Sequence, residues 1–295
     1  MRPKKITSLL KIIAAAWLLG LQPTHGEEQV IKLVTWNLQW FPGKSPYAKP
    51  DAVKRHINEL REAVLAMQPD ILVLQEVSNE QALNEAISEN TGLKLAVMSR
   101  FKNSAGFTDG QQIAIFSKFS ADFVYSSAWK HGWSGPPRGF AYAALKVHSG
   151  TLNVIGLHLK SNLGDPQGNT AKREDAAEQI LEHLNLTAAE KGQTNSKVVI
   201  CGDFNTDLIN RDVPSERTFQ LFLKSGFFWS FEGIPHSLRV TCPAKGRYPA
   251  ASFDHIFVKN LGRPVAAPLS QITGSDHIPV LLEFAVGSNT PTLKN

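Results

Sequence analysis

The chain has 295 residues, enough for one large domain or two small ones. Hydrophobic residues make up 42% and charged residues 19%, so a disordered chain is excluded, and a single span-like stretch near the N-terminus excludes a polytopic membrane protein. The formal net charge is +5, and four of the positive charges (Arg2, Lys4, Lys5, Lys11) lie before the first acidic residue, Glu27.

Those basic residues open a segment with the order of a secretory signal. Ile6 to Gly20 is mostly apolar, and Gln22 to Gly26 is polar and small. We expect residues 1–26 to be removed near Gly26 and the protein to be exported, to a periplasm or to the medium. The alternative is an N-terminal anchor. Against it, Lys11 leaves only about nine uninterrupted apolar residues, well short of a span. Removal takes the net charge to +1. A nucleic-acid reading must then rest on local basic residues rather than on the bulk charge.

In chain order, Val30 to Asn37 reads as a buried strand. Lys49 to Gln68 reads as a helix, with Val53, Ile57, Leu60 and Val64 at helical spacing, Pro50 and Asp51 in its first turn and Pro69 stopping it. Ile71–Leu74 is a short buried strand, and Asn79–Asn90 a helix ending at Gly92. Strands then dominate at Ala96–Met98, Ile113–Phe116, Phe123–Tyr125, Phe140–Val147 and Leu152–His158. A helix is expected over Thr170–Ala189, a strand over Val198–Cys201 and a short helix over Ser215–Leu223. Strands at Ser252–Val258 and Pro279–Ala285 complete the pattern. This predicts one α+β domain over residues 27–287, with two sheets face to face, helices outside, and a polar tail at 288–295. Cys201 and Cys242 are either a disulfide of an exported protein or a buried strand thiol and a loop thiol.

Polar residues recur where apolar runs end. Val34-Thr35-Trp36 leads into Asn37, Leu72-Val73-Leu74-Gln75 into Glu76, and Ile155-Gly156-Leu157 into His158. Ile200-Cys201-Gly202 leads into Asp203, Phe204 and Asn205, Ser252-Phe253 into Asp254 and His255, and Ser275 into Asp276 and His277. One such Asp or Asn would be an N-cap or a turn residue, and one His a hydrogen-bonded structural residue. Six together point to a shared site on loops at the rim of a rigid sheet.

On these residues the chain resembles the endonuclease/exonuclease/phosphatase superfamily, also called deoxyribonuclease-I-like. Trp36-Asn37, Gln75-Glu76-Val77, Gly202-Asp203-Phe204-Asn205 and Ser275-Asp276-His277 look like its four main motifs. The resemblance implies a four-layered α/β sandwich and hydrolysis of phosphoesters with Mg²⁺, Mn²⁺ or Ca²⁺ being the alternatives. It carries over a metal role to Glu76, with Asn37 and Asp276 close by; a hard carboxylate suits Mg²⁺. It makes His277, paired with Asp254, the group that activates water or holds the phosphate. Asp203 would orient the attacking water and Asn205 would donate to a phosphoryl oxygen. Whether Asp203 or the Asp254–His277 pair is the base stays open. His158 would serve the leaving oxygen, and His255 is either structural or a support for the site.

One departure stands out. Secreted deoxyribonucleases of the family pair their equivalent of His158 with a Glu near the strand corresponding to Ile113–Phe116. Here Asp109, Gly110, Gln111 and Gln112 stand in that region, so either Asp109 substitutes or a neutral Gln does.

Rim residues suggest how a substrate is held. Arg138 looks like a phosphate-binding Arg of deoxyribonuclease-like relatives, the alternative being an ordinary surface Arg. Lys160 and Asn162 add a cation and an amide. Trp129, His131 and Trp133 could stack a base or pack on the sheet edge. Lys172 and Arg173 face the groove or simply solvent.

These features predict an exported Mg²⁺-dependent phosphodiesterase, foremost an endonuclease acting on nucleic acid, monomeric and without a membrane span after signal removal. The alternative is a phosphatase or phospholipase C-type hydrolase, for which the aromatic Gly226–Phe231 segment is a candidate lipid contact. A non-catalytic binding module is disfavoured, because none of the expected site residues is missing.

Overall fold

The computed structural model describes residues 29–87, 89–103, 105–130, 138–190, 196–208 and 215–287. The expected signal segment, the C-terminal tail and the loop bearing His131 and Trp133 lie outside the described residues.

The first half of the chain forms β1 (Gln29–Phe41), α1 (Pro50–Met67), β2 (Ile71–Val77), α2 (Glu80–Ala86), β3 (Lys94–Met98), β4 (Gln112–Ser117) and β5 (Ala121–Ala128). The second half forms β6 (Gly139–Val147), β7 (Gly150–His158), α3 (Pro166–Glu190), β8 (Lys197–Asp203), α4 (Thr218–Lys224), β9 (Phe228–Trp229), β10 (Asp254–Lys259), β11 (Ala266–Pro268) and β12 (Val280–Val286). They build two six-stranded sheets, ordered β11-β12-β1-β2-β4-β3 and β5-β6-β7-β8-β10-β9. Each sheet contains one parallel pair, β1 with β2 and β7 with β8. Helices α1 and α3 make the crossovers, since parallel neighbours cannot be joined by a tight turn.

The two-residue period of the strands sorts the side chains into layers. On β1, β2 and β4, Ile31, Leu33, Ile71, Val73, Ile113 and Ile115 join the core shared with the second sheet. The alternate residues, Val34, Trp36, Leu72, Leu74, Ala114 and Phe116, pack with Ile57, Leu60 and Val64 of α1 and Leu83 of α2. On the second sheet, Ala176, Ala177 and Ile180 of α3 and Phe219 and Phe222 of α4 are likewise buried. The result is the four-layered sandwich expected from the sequence.

Local chemistry explains most boundaries. Pro50 starts α1, and Gln68, left-handed at φ 50°, ends it with its N–H on the Val64 carbonyl. Asn79 caps α2 by accepting the Ala82 N–H at 3.0 Å. That helix ends at Ala86 rather than running to Asn90, which belongs to a separate single turn at Glu89–Thr91. Strands β9 and β11 were not legible as such, being two and three residues long.

His56 ties α1 to the end of β1: its Nδ1 accepts the Gly43 N–H at 2.9 Å. Burial, helped by nearby Lys44, pushes its pKa from 6.5 down to about 4. Between those values the unfolded chain binds a proton that the folded chain does not. Stability is therefore expected to fall as pH drops from 6.5 towards 4, with this residue contributing about 3 kcal/mol. Urea unfolding at pH 7 and pH 4.5 checks this. The wild type should lose more stability than His56→Gln, and equal losses would reject the assignment.

Candidate active site

The same period that builds the layers aims the polar residues. Asn37 continues the row Ile31, Leu33, Thr35 that faces the second sheet. Gln75 continues Ile71 and Val73, and its Nε2 donates to Thr35 Oγ1 at 3.0 Å. On the second sheet Gly156 faces across, since a Cβ there would meet Val73 and Ile113. His158, two residues on, points the same way. Register then places His158 beside Asp203, and Asp203 beside Asp254. Asn37, Gln75, His158, Asp203 and Asp254, one from each of five strands, thus meet between the sheets at one end.

Glu76 would by parity turn towards the helices. Instead the β2–β4 register shifts between Gln75 and Val77, and Glu76 takes a left-handed φ of 58°. A bulge of this kind re-aims one side chain, at a backbone cost of about 1–2 kcal/mol. The carboxylate is fixed by the Asn37 Nδ2 donor on Oε1 at 3.3 Å and the Trp40 N–H on Oε2 at 3.0 Å.

Asp203 is the hub. Its Oδ2 accepts from Asn37 Nδ2 at 2.9 Å and lies 3.4 Å from His158 Nε2 and 4.0 Å from His277 Nε2. Its Oδ1 accepts the Asn205 N–H at 2.8 Å. Burial pushes the Asp203 carboxyl up to about 7, with the His277 charge opposing the rise and the Asp254 carboxylate adding to it. His277 Nδ1 is 2.7 Å from Asp254 Oδ2. Burial disfavours the imidazolium, but Asp254 and Asp203 outweigh it and hold His277 well above 6.5. His158 behaves oppositely: burial, with Arg138 and His277 nearby, holds it well below 6.5. The site therefore presents one imidazole that favours its charged form and one that favours its neutral form.

The backbone around this cluster is pinned. His277 O accepts Trp36 Nε1–H at 2.8 Å, and Ser275 Oγ donates to Asn37 O at 2.6 Å while accepting the His277 N–H at 3.1 Å. Thr241 Oγ1 accepts the N–H groups of Phe253 and Asp254, each at 3.0 Å. Thr241 had no distinguishing signal in the sequence, lying in a loop with no period. Gly202 has φ 142°, and a Cβ there would sit 2.0 Å from Leu157 O, so only glycine brings β8 this close to β7.

The donor set fits a hard divalent cation. Asp203, Asp254 and His277 offer ligand atoms within 4.8 Å of one another, and Asp254 Oδ1 is buried with no hydrogen-bond partner. Glu76 is more open, its side chain retaining 15% exposure, which suits an ion that keeps several waters. Asn37 Oδ1 is taken by the Gln39 N–H at 3.0 Å, so its amide bridges the two carboxylates as a donor. Asp276 is ion-paired with Lys245 at 3.5 Å.

Several expectations are corrected here. Arg138 is neither a rim phosphate contact nor a surface residue. It is buried, with Nη1 donating to Leu159 O and Nη2 to Gln111 Oε1 at 2.8 Å. Burial lowers its pKa, and Asp203, Glu76 and Asp109 oppose that, so it balances the carboxylates from beneath. No carboxylate takes the role expected beside His158 from the Asp109–Gln112 segment. Asp109 Oδ1 accepts the Gln111 N–H, Gln112 Oε1 accepts from Ser99 and Phe101, and His158 Nδ1 is buried without a partner. His255, out of phase with Asp254, faces α4. It lies among Phe204, Phe219 and Trp229, with Nε2 bonded to Thr206 O at 3.0 Å, which makes it structural.

Lys160 stays partly exposed at the rim, its pKa lowered by burial and by Arg138 and Lys172. Asn205 Nδ2 donates to Leu159 O at 3.1 Å, and Asn162 Oδ1 is buried without a partner. Arg173 faces neither groove nor solvent: it is fully buried against Glu216. Both cysteines are free, Cys201 in the core of β8 and Cys242 half-buried in a loop. Trp129 packs on Phe140, with ring centroids 5.7 Å apart. In the Gly226–Phe231 segment Phe227, Trp229 and Phe231 belong to the core, so it is not a lipid-inserting loop. Among the described residues no helix is long and apolar enough to cross a membrane.

A buried imidazole–carboxylate pair, clustered acids and an amide at the open end of a sandwich define a hydrolase of phosphoric esters. A model of the Endonuclease/Exonuclease/phosphatase family matches residues 34–277, and the chain belongs to that family. Comparison with curated protein sequences finds no match. Solved structures share the fold. Truncated Caenorhabditis elegans TDP2 aligns with TM-score 0.65 and 16% identity, over 87% of this chain and 98% of that one. The mannosyl-6-phosphatase Bt3783 of Bacteroides thetaiotaomicron aligns with TM-score 0.64 and 18% identity, over 87% and 100%. An endonuclease/exonuclease/phosphatase family protein of the same bacterium aligns with TM-score 0.64 and 17% identity, over 88% and 96%.

Proposed function

We propose that the chain is an exported Mg²⁺-dependent phosphodiesterase that cleaves nucleic acid, its hydrolase domain spanning residues 27–287 after loss of residues 1–26. The observation that carries the reading is the Asp254–His277 pair at 2.7 Å, set against Asp203 and held beside the Asn37–Glu76 pair. Asp254 orients His277 and leaves Nε2 facing the reacting centre, where the imidazolium donates to a phosphoryl oxygen, and Asp203, pushed up to about 7, is the group that takes the proton of the attacking water. Asp203 and Asn37 orient that water. Neutral His158, 3.4 Å from Asp203, supplies a hydrogen bond to the leaving oxygen. Glu76 would hold Mg²⁺, with Asp203 close by, and the ion when bound neutralises phosphate charge and polarises the P–O bonds. Lys160 and the second amide hydrogen of Asn205 would supply donors to the phosphoryl oxygens.

A nicking assay on supercoiled plasmid tests this. Expressed from the full chain, the activity is expected outside the cytoplasm, to require Mg²⁺ and to vanish in EDTA. Folded protein that hydrolyses sugar phosphates or other monoesters but never nicks DNA or RNA would overturn the nucleic-acid reading in favour of a phosphatase. Activity indifferent to EDTA would overturn the metal role of Glu76.

A further inference from the structure

Between Arg239 and β10 the chain crosses the site end as a hairpin. Cys242 and Ala251 exchange backbone hydrogen bonds at 2.9 Å, and Lys245 and Tyr248 do so at 3.0 and 3.1 Å. Gly246, at φ 60°, supplies the left-handed turn residue. The root is fixed to the catalytic pair from both sides. Thr241 Oγ1 accepts the Asp254 N–H, and Thr241 O accepts the N–H of Ile278, next to His277, at 2.6 Å.

The tip is exposed from Pro243 to Pro249. Lys245 reaches back to Asp276, 3.5 Å away and one residue from His277, while its own side chain stays 72% exposed. Arg247 lies over the Tyr248 ring, 5.2 Å from its centroid, and donates to its hydroxyl at 3.2 Å. Among the described residues Arg247 has no carboxylate partner, and Tyr248 is 51% exposed. A turn that only closed a loop would need none of this. Two cations and a ring thus stand over the rim, Lys245 sharing its charge with Asp276 and Arg247 having no acidic partner among the described residues.

We propose that Lys245, Arg247 and Tyr248 are the docking arm for the part of the substrate beyond the scissile phosphate. That part would carry a second phosphate and a planar base. Lys245 meets the strand as a point charge, Arg247 offers a forked donor to a phosphate, and Tyr248 offers a face for stacking. A monoester seated at Glu76 and His277 would leave the arm unused. The inference rests on the nucleic-acid reading above and specifies which element recognises the strand.

The test compares kcat/KM on a single-stranded oligonucleotide with that on bis(p-nitrophenyl) phosphate, a single diester with no second phosphate. In Arg247→Ala/Tyr248→Ala the preference for the oligonucleotide should fall about tenfold, mainly through KM. The salt dependence of KM should weaken by about one phosphate contact. Arg247→Lys alone should restore the salt dependence. If the wild type cuts the oligonucleotide and the double variant keeps its full preference, the arm is wrong and the nuclease reading survives. If the wild type hydrolyses the small diester, or monoesters, but no oligonucleotide, both fall.

Discussion

Replacing His277 by Ala is expected to lower turnover by about a thousandfold, within the range lost when a preorganised donor facing the reacting phosphate is removed. The fold should survive, because the backbone there is held without the imidazole. Trp36 Nε1 binds the His277 carbonyl, and Ser275 Oγ accepts the His277 N–H. Asp254 is fully buried and loses its partner in the Ala variant, so some stability is lost with the activity. His277→Asn separates the two effects. Its amide can still donate to Asp254, so it should recover stability but not turnover. Single-turnover rates and urea midpoints on both variants decide the matter. A His277→Ala enzyme within tenfold of wild type would remove this residue from the chemistry.

The second large effect lies outside the reacting groups. Arg173 on α3 donates from Nε and Nη2 to Glu216 at 2.8 and 2.6 Å, and from Nη1 to Lys160 O at 2.8 Å. Neither partner has room for water, the Arg173 side chain being 0% exposed and that of Glu216 6%. Arg173→Met is expected to destabilise the protein by about 3–5 kcal/mol, because it strands a buried carboxylate and frees the Lys160 carbonyl. Combining it with Glu216→Leu should recover most of the loss, since replacing both charges removes the stranded one. Chemical denaturation of the single and double variants measures this. A single variant losing under 1 kcal/mol would show that the pair is solvated and not the clamp described. Lys160 is two residues from His158, so the surviving single variant should also show a raised KM.

Much of the fold was legible because burial leaves a periodic trace. The 3.6-residue spacing of Ile57, Leu60 and Val64 and the stop at Pro69 mark α1. The apolar run Ile71–Leu74 marks β2, whose chemistry-bearing end is where the run breaks. The site residues were legible for a related reason. A buried strand that ends in Glu or His, repeated beside others that end in Asn or Asp, exposes a choice that packing and turns do not require. The membership of the set followed from six such endings, while the burial of Arg138 and Arg173 did not. Both precede or sit in segments where a surface position and a buried one carry the same local pattern. Only the partners, Gln111, Leu159 O and Glu216, distinguish them. The Phe227–Phe231 aromatics were ambiguous in the same way, a lipid-facing loop and a short core strand being too brief to differ in period.

By itself, then, the order of residues determined the layers, the strand ends and the chemical types that meet there, because these depend on local period and on which side chains can be buried. Tertiary structure alone decided how those ends are used. Asn37 and Asp203 lie 166 residues apart and meet at 2.9 Å only because the two sheets stack in this register. The bulge at Glu76, the glycine-tight approach of β8 to β7 and the Thr241 anchor on Asp254 set the remaining distances. The opposite leanings of His158 and His277 come from burial and neighbouring charge, which exist only once the chain has folded around them.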